Sequence, residues 1–224
     1  FKAGDSITVG DSNVIIGSEA NISTGTGKNQ IVIGAAAKGM GDSTVVLGDS
    51  LTIKTTYLHG KISIRDKNHD SSIFIGTIPK NIATDNAWST AVGIRALQNL
   101  TTGYNNTAIG FDAMLKNSDG THNTAIGAGS LEQNINGNFN VASGTAALQN
   151  NINGKNNTAN GVGSLRFNTS GNNNSAFGYG ALKKNTLGEG NVAIGFKAGD
   201  SITVGDGNVA IGFKAGDSIT VGDS

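Results

Sequence analysis

Residues 106–127 read NTAIGFDAMLKNSDGTHNTAIG, a short apolar segment ending in glycine that returns after 17 residues. The same 17-residue step joins these glycines from Gly76 to Gly212 over eight consecutive intervals. Equal steps of this kind are the signature of a repeat architecture rather than of a glycine-rich composition. The glycines that we expect to end a strand and turn a structural corner are Gly93, Gly110, Gly127, Gly144, Gly161, Gly178, Gly195 and Gly212.

A second glycine follows the first by ten residues in most repeats, and an asparagine usually follows three residues after it. Gly120 and Asn123 illustrate this second pair. Two glycines at a fixed phase predict two corners per coil where the backbone needs a positive φ. Asparagine tolerates left-handed conformations, and its amide can hydrogen-bond along a stack.

The apolar positions favour β-structure over helix. They alternate over three or four residues, include many β-branched types and end in glycine, which is typical of strands. A 17-residue repeat is too short for a strand–helix unit. We therefore predict an all-β fold: a parallel β-solenoid of coils of about 17 residues, stacked at about 4.8 Å. Each coil is expected to contain two short strands, the second at positions such as 202–204 in the segment FKAGDSITVGD.

Three regions are predicted along the chain: N-terminal coils over 1–48, irregular coils over 49–75, and regular coils over 76–224. The irregular region contains the charged run 65–70, interpreted as a protruding polar loop, and a domain boundary there is the alternative. His69 lies near Asp66 and Asp70, but a solvated loop is favoured over a metal or acid–base cluster. Trp88, which follows this region, is interpreted as a plug at the start of the regular coils, with a sugar-stacking role as the alternative.

The two faces of the strand carry different residues. Two positions before each strand-ending glycine the later repeats always have alanine, as at Ala108 and Ala125. The next position alternates to the other face and holds large apolar residues such as Ile109 and Ile126. A strand that is apolar on both faces is buried on both, so a neighbouring chain is expected to cover one of them. If that outer series is buried, the two polar residues that interrupt it, Ser143 and Asn160, need hydrogen-bond partners.

Composition excludes several functions. The 16 basic and 16 acidic residues balance, so no electrostatic footprint for nucleic acid is visible, and no apolar run is long enough for membrane insertion. Cysteine is absent, which removes thiolate metal sites. Corners such as 205–207 lack the register of calcium-binding repeats. No phosphate-binding loop, nucleophile elbow or paired carboxylates are evident, so we predict no catalytic residues, no metal ligands, no cofactor and no enzyme activity.

The motif N-[TSV]-A-I-G at 106–110, 123–127, 191–195 and 208–212 resembles the head repeats of trimeric autotransporter adhesins, the YadA-like left-handed β-roll. Those repeats are usually shorter, and the asparagine-rich 17-residue form is more similar to repeats of phage and large-DNA-virus fibre proteins. The resemblance implies a parallel homotrimer on a virion surface, or on a cell surface or otherwise extracellular. Its partners would be neighbouring segments of a longer fibre and a host glycan or protein receptor.

The resemblance makes a structural or adhesive fibre segment of a virus or phage the leading functional prediction. The head or stalk of a bacterial trimeric adhesin is the second. A glycan depolymerase built on a β-solenoid is the third, and it would need two acids facing one groove. Glutamate is sparse, as at Glu132 and Glu189, and no spacing pairs two acids.

Overall fold

The computed structural model describes residues 2–39, 41–42, 73–76 and 88–221, and the backbone of 45–47. The chain forms two compact units, Phe1–Ser63 and Ile64–Ser224. The division between them falls inside the segment 49–75 that was predicted to be irregular. The predicted polar loop at 65–70, with His69, Asp66 and Asp70, lies outside the described residues.

The second unit is built on one sheet of nine parallel strands that follow one another in chain order. Each strand pairs in register with the strand 17 residues later, so that Ala108 lies beside Ala125 and Ile109 beside Ile126. This stacking confirms the all-β parallel solenoid with a 17-residue repeat. The strands are β4 (Ile73–Gly76), β5 (Thr90–Gly93), β6 (Thr107–Ile109), β7 (Thr124–Ile126), β8 (Val141–Ser143), β9 (Thr158–Asn160), β10 (Ser175–Phe177), β11 (Val192–Ile194) and β12 (Val209–Ile211).

The first unit contains a smaller sheet of the same kind. Strands β1 (Val14–Ile16), β2 (Ile31–Ile33) and β3 (Val45–Leu47) are parallel and adjacent in chain order. Val14 pairs with Ile31, a step of 17 residues, whereas Ile31 pairs with Val45, a step of 14. The coil therefore tolerates a shorter length while the strand register is preserved.

The interior of the second unit is filled by two apolar series. The middle residue of each strand points inward, which makes the alanine face the buried one, as at Ala108 and Ala125. Four residues after each corner glycine, a large apolar side chain packs against these alanines and is fully buried. Because alanine is small, this second layer can lie close to the sheet. The large residues are Leu97, Met114, Leu131, Leu148, Leu165 and Leu182.

The prediction of two strands per coil is wrong for the described coils, since each contains one. Residues 202–204, expected to form a second strand, lie in an irregular bend. After each corner glycine the chain runs through turns, with left-handed residues such as Asp112 (φ 58°) and Met114 (φ 50°). Ile202 is nevertheless buried, and it occupies the core space that Gly199, lacking a side chain, leaves open in that coil.

The predicted corners are half confirmed. All eight strand-ending glycines from Gly93 to Gly212 have φ between 128° and 137° or 138°. The second glycine of the coil does not have a positive φ. The left-handed residue at that corner is the one before the asparagine, such as His122 or Phe139, both at φ 57°. The second glycine is instead required by close approach, because a Cβ on Gly137 would lie 2.5 Å from the carbonyl oxygen of Gly154.

Candidate assembly face and binding groove

Two continuous ladders of asparagine side chains run through the interior of the second unit. The predicted one follows the second glycine and consists of Asn106, Asn123, Asn140, Asn157, Asn174, Asn191 and Asn208. The other was not predicted, although its residues stand at a constant seven positions after the corner glycine. It consists of Asn117, Asn134, Asn151, Asn168 and Asn185. All but Asn208 are buried.

Both ladders converge on the same backbone carbonyl in each coil. Asn140 donates from Nδ2 to the carbonyl oxygen of Gly154 at 2.8 Å, and Asn151 donates to the same oxygen at 3.0 Å. The backbone N–H of Asn157 in turn donates to Oδ1 of Asn140 at 3.0 Å. These bonds satisfy polar groups at corners that water does not reach. The second ladder ends at Asn185, whose Oδ1 accepts no hydrogen bond because Ile202 replaces the next asparagine.

The outward face of the large sheet is uncharged and exposed. From β5 to β12 no outward position holds a charged residue, although 14% of the chain is charged. Apolar side chains on this face remain open to solvent, including Ile126 at 44% and Phe177 at 41% exposure. The outward residues are Thr90, Val92, Thr107, Ile109, Thr124, Ile126, Val141, Ser143, Thr158, Asn160, Ser175, Phe177, Val192, Ile194, Val209 and Ile211. We refer to this set as the outer face.

Ser143 and Asn160, predicted to need partners if the outer series is buried, lie side by side on this face. In the single chain Asn160 is exposed, and the two side chains do not hydrogen-bond to each other. The smaller sheet has the same character, since Val14 and Ile16 on β1 are 47% and 55% exposed. An exposed apolar surface free of charge is typical of a surface that another protein covers.

Rings from successive coils stack on two other parts of the surface. Trp88, 45% exposed, contacts Tyr104 edge-on, and His122 lies between Tyr104 and Phe139. His122 is exposed at its corner, as its position between Gly120 and Asn123 predicted. Trp88 is therefore one end of an aromatic series, and its exposed ring is compatible with the stacking alternative. A second series consists of Tyr179, Phe196 and Phe213, with centroids 5.3 and 5.4 Å apart.

A groove of about 430 Å³ crosses five coils beside the corner glycines. Phe111 stands at one end and Tyr179 at the other. Its floor consists of the small residues Gly129, Ala146, Gly163 and Gly180. Sequence reasoning missed this groove, although the run of small residues two positions after four successive corner glycines is visible in the sequence. We refer to it as the small-residue groove.

One wall of the small-residue groove is a polar series that changes in charge from coil to coil. Gln149 donates from Nε2 to Oε2 of Glu132 at 2.8 Å, and Arg166 donates from Nε to Oε1 of Gln149 at 2.9 Å. Lys183 continues the wall in the next coil. The wall therefore runs from an acidic end to a basic end.

The acids of the described coils are dispersed. Across the described ranges, no group of three or more histidine, aspartate or glutamate side chains is placed to hold a metal ion. Hydrogen bonds from Thr102, Ser118 and Thr101 hold the pKa of Asp119 below its usual range. Thr102, Ser118 and Thr101 lie at the coil surface with Asp119, away from the small-residue groove.

Comparison with protein-family models, curated protein sequences and solved structures finds no match to this chain. In the part of the chain that the structure describes, no helix is both long and apolar enough to cross a membrane. The class of protein is set by the fold: a β-solenoid whose 17-residue coils stack through parallel strands and internal amide ladders.

Proposed function

We propose that this chain is a structural segment of a homotrimeric fibre on a virus or phage, serving as a rigid spacer or head that supports attachment to host cells. The observation that carries the proposal is the outer face, which is apolar, exposed and without a single charge over eight strands. Interfaces between protein copies are depleted of charge at their centre in the same way.

Identical copies are the partners that this face fits best. Its side chains recur with the same 17-residue step on every strand, so a parallel copy can match it coil for coil. Closed rotational symmetry then covers every outer face and leaves none to recruit further chains. A trimer is the symmetry that the resemblance to β-roll fibre repeats implies.

Assembly is tested by measuring the mass of the chain in solution by sedimentation equilibrium. We expect three times the 22.6 kDa chain mass. Ile126→Asp places a charge at the centre of the outer face and should shift the mass to that of one chain, because a buried unpaired charge opposes association. A monodisperse monomer of the unmodified chain would contradict the proposal.

Ile135→Asp is the matched control for this experiment. Ile135 is 41% exposed, close to the 44% of Ile126, but it lies after the second asparagine ladder rather than on the outer face. The control should keep the trimer mass. Equal dissociation by both variants would show that the outer face is not the interface.

The head or stalk of a bacterial trimeric adhesin is a second candidate, and one observation favours it. The 14-residue step from β2 to β3 is of the shorter kind that the adhesin repeats use. Neither role requires catalysis, and the dispersed acids give no support to a depolymerase.

A further inference from the structure

We propose that the small-residue groove binds a linear oligosaccharide that carries carboxylate groups. Aromatic rings close its two ends, and a hydrogen-bonded wall leads from acceptors to cations between them. This inference extends the proposed attachment role and rests on it, but one chain builds the whole groove. Its test therefore does not depend on the assembly of three chains.

The groove exists because four successive coils have a small residue at one position. At that position the neighbouring coils carry Arg95, Asp112, Lys197 and Lys214, all in the same left-handed conformation as Gly163. A larger side chain is thus compatible with the backbone there, and its absence leaves open space. A Cβ on Gly163 would meet no atom within 4 Å.

The two ends offer flat apolar surfaces. Phe111 is 52% exposed and Tyr179 is 51% exposed, and stacking on Phe196 holds the ring of Tyr179 in place. They lie four coils apart, which at about 4.8 Å per coil is a span of about 19 Å. An extended chain of a few pyranose rings fits this span and can lay a C–H face on each ring. Rigid aromatic surfaces and a few placed polar groups are typical of ligand sites.

The basic end of the wall selects a carboxylate. Within the described residues, no carboxylate lies within salt-bridge distance of Arg166 or Lys183. The bond from Nε of Arg166 to Gln149 fixes the guanidinium and leaves its terminal nitrogens to a ligand. A guanidinium held in this way is suited to bidentate binding of a carboxylate.

The other end of the groove contains a buried acceptor that fits a hydroxyl group. Asp112 is 8% exposed, and its Oδ2 accepts from Arg95 at 2.5 Å. Its Oδ1 is buried and accepts no hydrogen bond. A sugar hydroxyl that donates to this oxygen would satisfy it.

Recognition by side chains alone favours a sugar over a peptide. The backbone N–H groups of Gly129 and Gly163 donate to the carbonyls of Phe111 and Thr145 in the preceding coils. The floor therefore has no free row of backbone donors with which an added peptide strand could pair. A hydroxyl-rich ligand needs no such row.

The test measures binding of tetragalacturonic acid to the full 224-residue chain by calorimetry in low-salt buffer. Its fully methyl-esterified form and tetraglutamate are the comparison probes. We expect the acid to bind at least about tenfold more tightly than the ester, because the ester cannot pair with Arg166 and Lys183. Binding should weaken as salt is added.

Variants locate the site. Gly163→Asn fills the groove, and asparagine tolerates the left-handed backbone, so binding should be lost while the melting temperature changes little. Arg166→Gln and Tyr179→Ala should each weaken binding by about tenfold. Lys155→Gln and Phe139→Ala are the matched controls, since both residues lie on the surface outside the groove, and they should leave affinity unchanged.

Several results would overturn the inference: no binding of the acid, equal binding of the ester or of tetraglutamate, or full binding by Gly163→Asn. Sedimentation of the same samples separates this outcome from the proposed function. Gly163→Asn should retain the mass of the unmodified assembly. Loss of sugar binding with the trimer intact assigns the groove, whereas a monomer that binds the sugar refutes only the trimer.

Discussion

At the scale of single residues, the coil uses glycine for two different physical reasons. At the corner after each strand the backbone has φ near 130°, which residues with a side chain rarely adopt. At the second glycine the backbone angle is ordinary, but no space exists for a Cβ. On Gly137 that atom would lie 2.3 Å from Oδ1 of Asn134 and 2.5 Å from the carbonyl oxygen of Gly154.

Gly137→Ala should therefore be far more damaging than its chemistry suggests. We expect it to lower the free energy of unfolding by about 3 kcal/mol or more, because the backbone of the next coil cannot move aside without breaking both asparagine ladders. Gly163→Ala is the control, since open space surrounds that position and Ala146 has the same conformation one coil earlier. Its effect should stay within about 1 kcal/mol. Denaturant unfolding of both variants measures this, and similar losses would refute the steric explanation.

The recurrence of the second glycine was predictable from sequence, but the reason for it was not. A glycine at constant phase indicates either a positive φ or a close approach, and both leave the same pattern in a single sequence. The distance from Gly137 to the next coil decides between them, and this distance depends on how the coils stack. The sequence also left open which residue is left-handed at that corner, where His122 and Phe139 take the conformation that asparagine was expected to take.

At the scale of elements, the asparagine ladders replace part of the apolar core that so thin a coil cannot provide. Each amide bonds to the coil before it and to a carbonyl at its own corner, so every member is satisfied by its neighbours. Such a network is stabilising only when it is complete, because an unpaired buried polar group is costly.

Asn140→Ala interrupts the first ladder in the middle of the stack. It leaves the N–H of Asn157 and Oδ1 of Asn123 without one partner each, and the carbonyl of Gly154 with one donor instead of two. We expect a loss of about 2 to 4 kcal/mol in the free energy of unfolding.

Asn136→Ala is the control for the ladder experiment. Asn136 is exposed and lies in the same coil, so its replacement should change stability by less than about 0.5 kcal/mol. Thermal or urea unfolding of the two variants provides the comparison. A neutral Asn140→Ala would show that the ladder is not a source of stability.

The strand after each coil was predictable because three alternating residues and a glycine are a local signal. The rest of the coil was not, since its form depends on which apolar residue reaches the core. Leu182 with Asn185 in one coil becomes Gly199 with Ile202 in the next, and the isoleucine replaces the leucine from a position three residues later. Alternation of Ile202 and Val204 suggested a strand, yet only Ile202 is buried and Val204 is exposed.

At the scale of the whole molecule, stability is expected to reside in contacts between successive coils, as in other solenoids. Deleting residues 145–161 removes one complete coil and joins Gly144 to Val162. Strands β8 and β10 then become neighbours with the 17-residue step intact. We expect this variant to unfold cooperatively within a few degrees of the parent.

Deleting residues 145–160 is the control, because it leaves one residue too many between the same strands. The extra residue must bulge or displace the alanine, leucine and asparagine series from their ladders. Its melting temperature should fall at least about 5 °C below that of the 17-residue deletion. If calorimetry shows equal stability for both deletions, the ladders do not enforce the coil length.

The constant step between strands also has a consequence for inheritance. The segment FKAGDSITVGD begins at Phe1, Phe196 and Phe213, so stretches of the coding sequence for this chain are close copies of one another. Unequal crossing-over between such copies inserts or removes whole multiples of 17 codons, and each product still places alanine upon alanine and amide upon amide. Length in such a gene can therefore change in discrete steps of one coil without a search for a new fold.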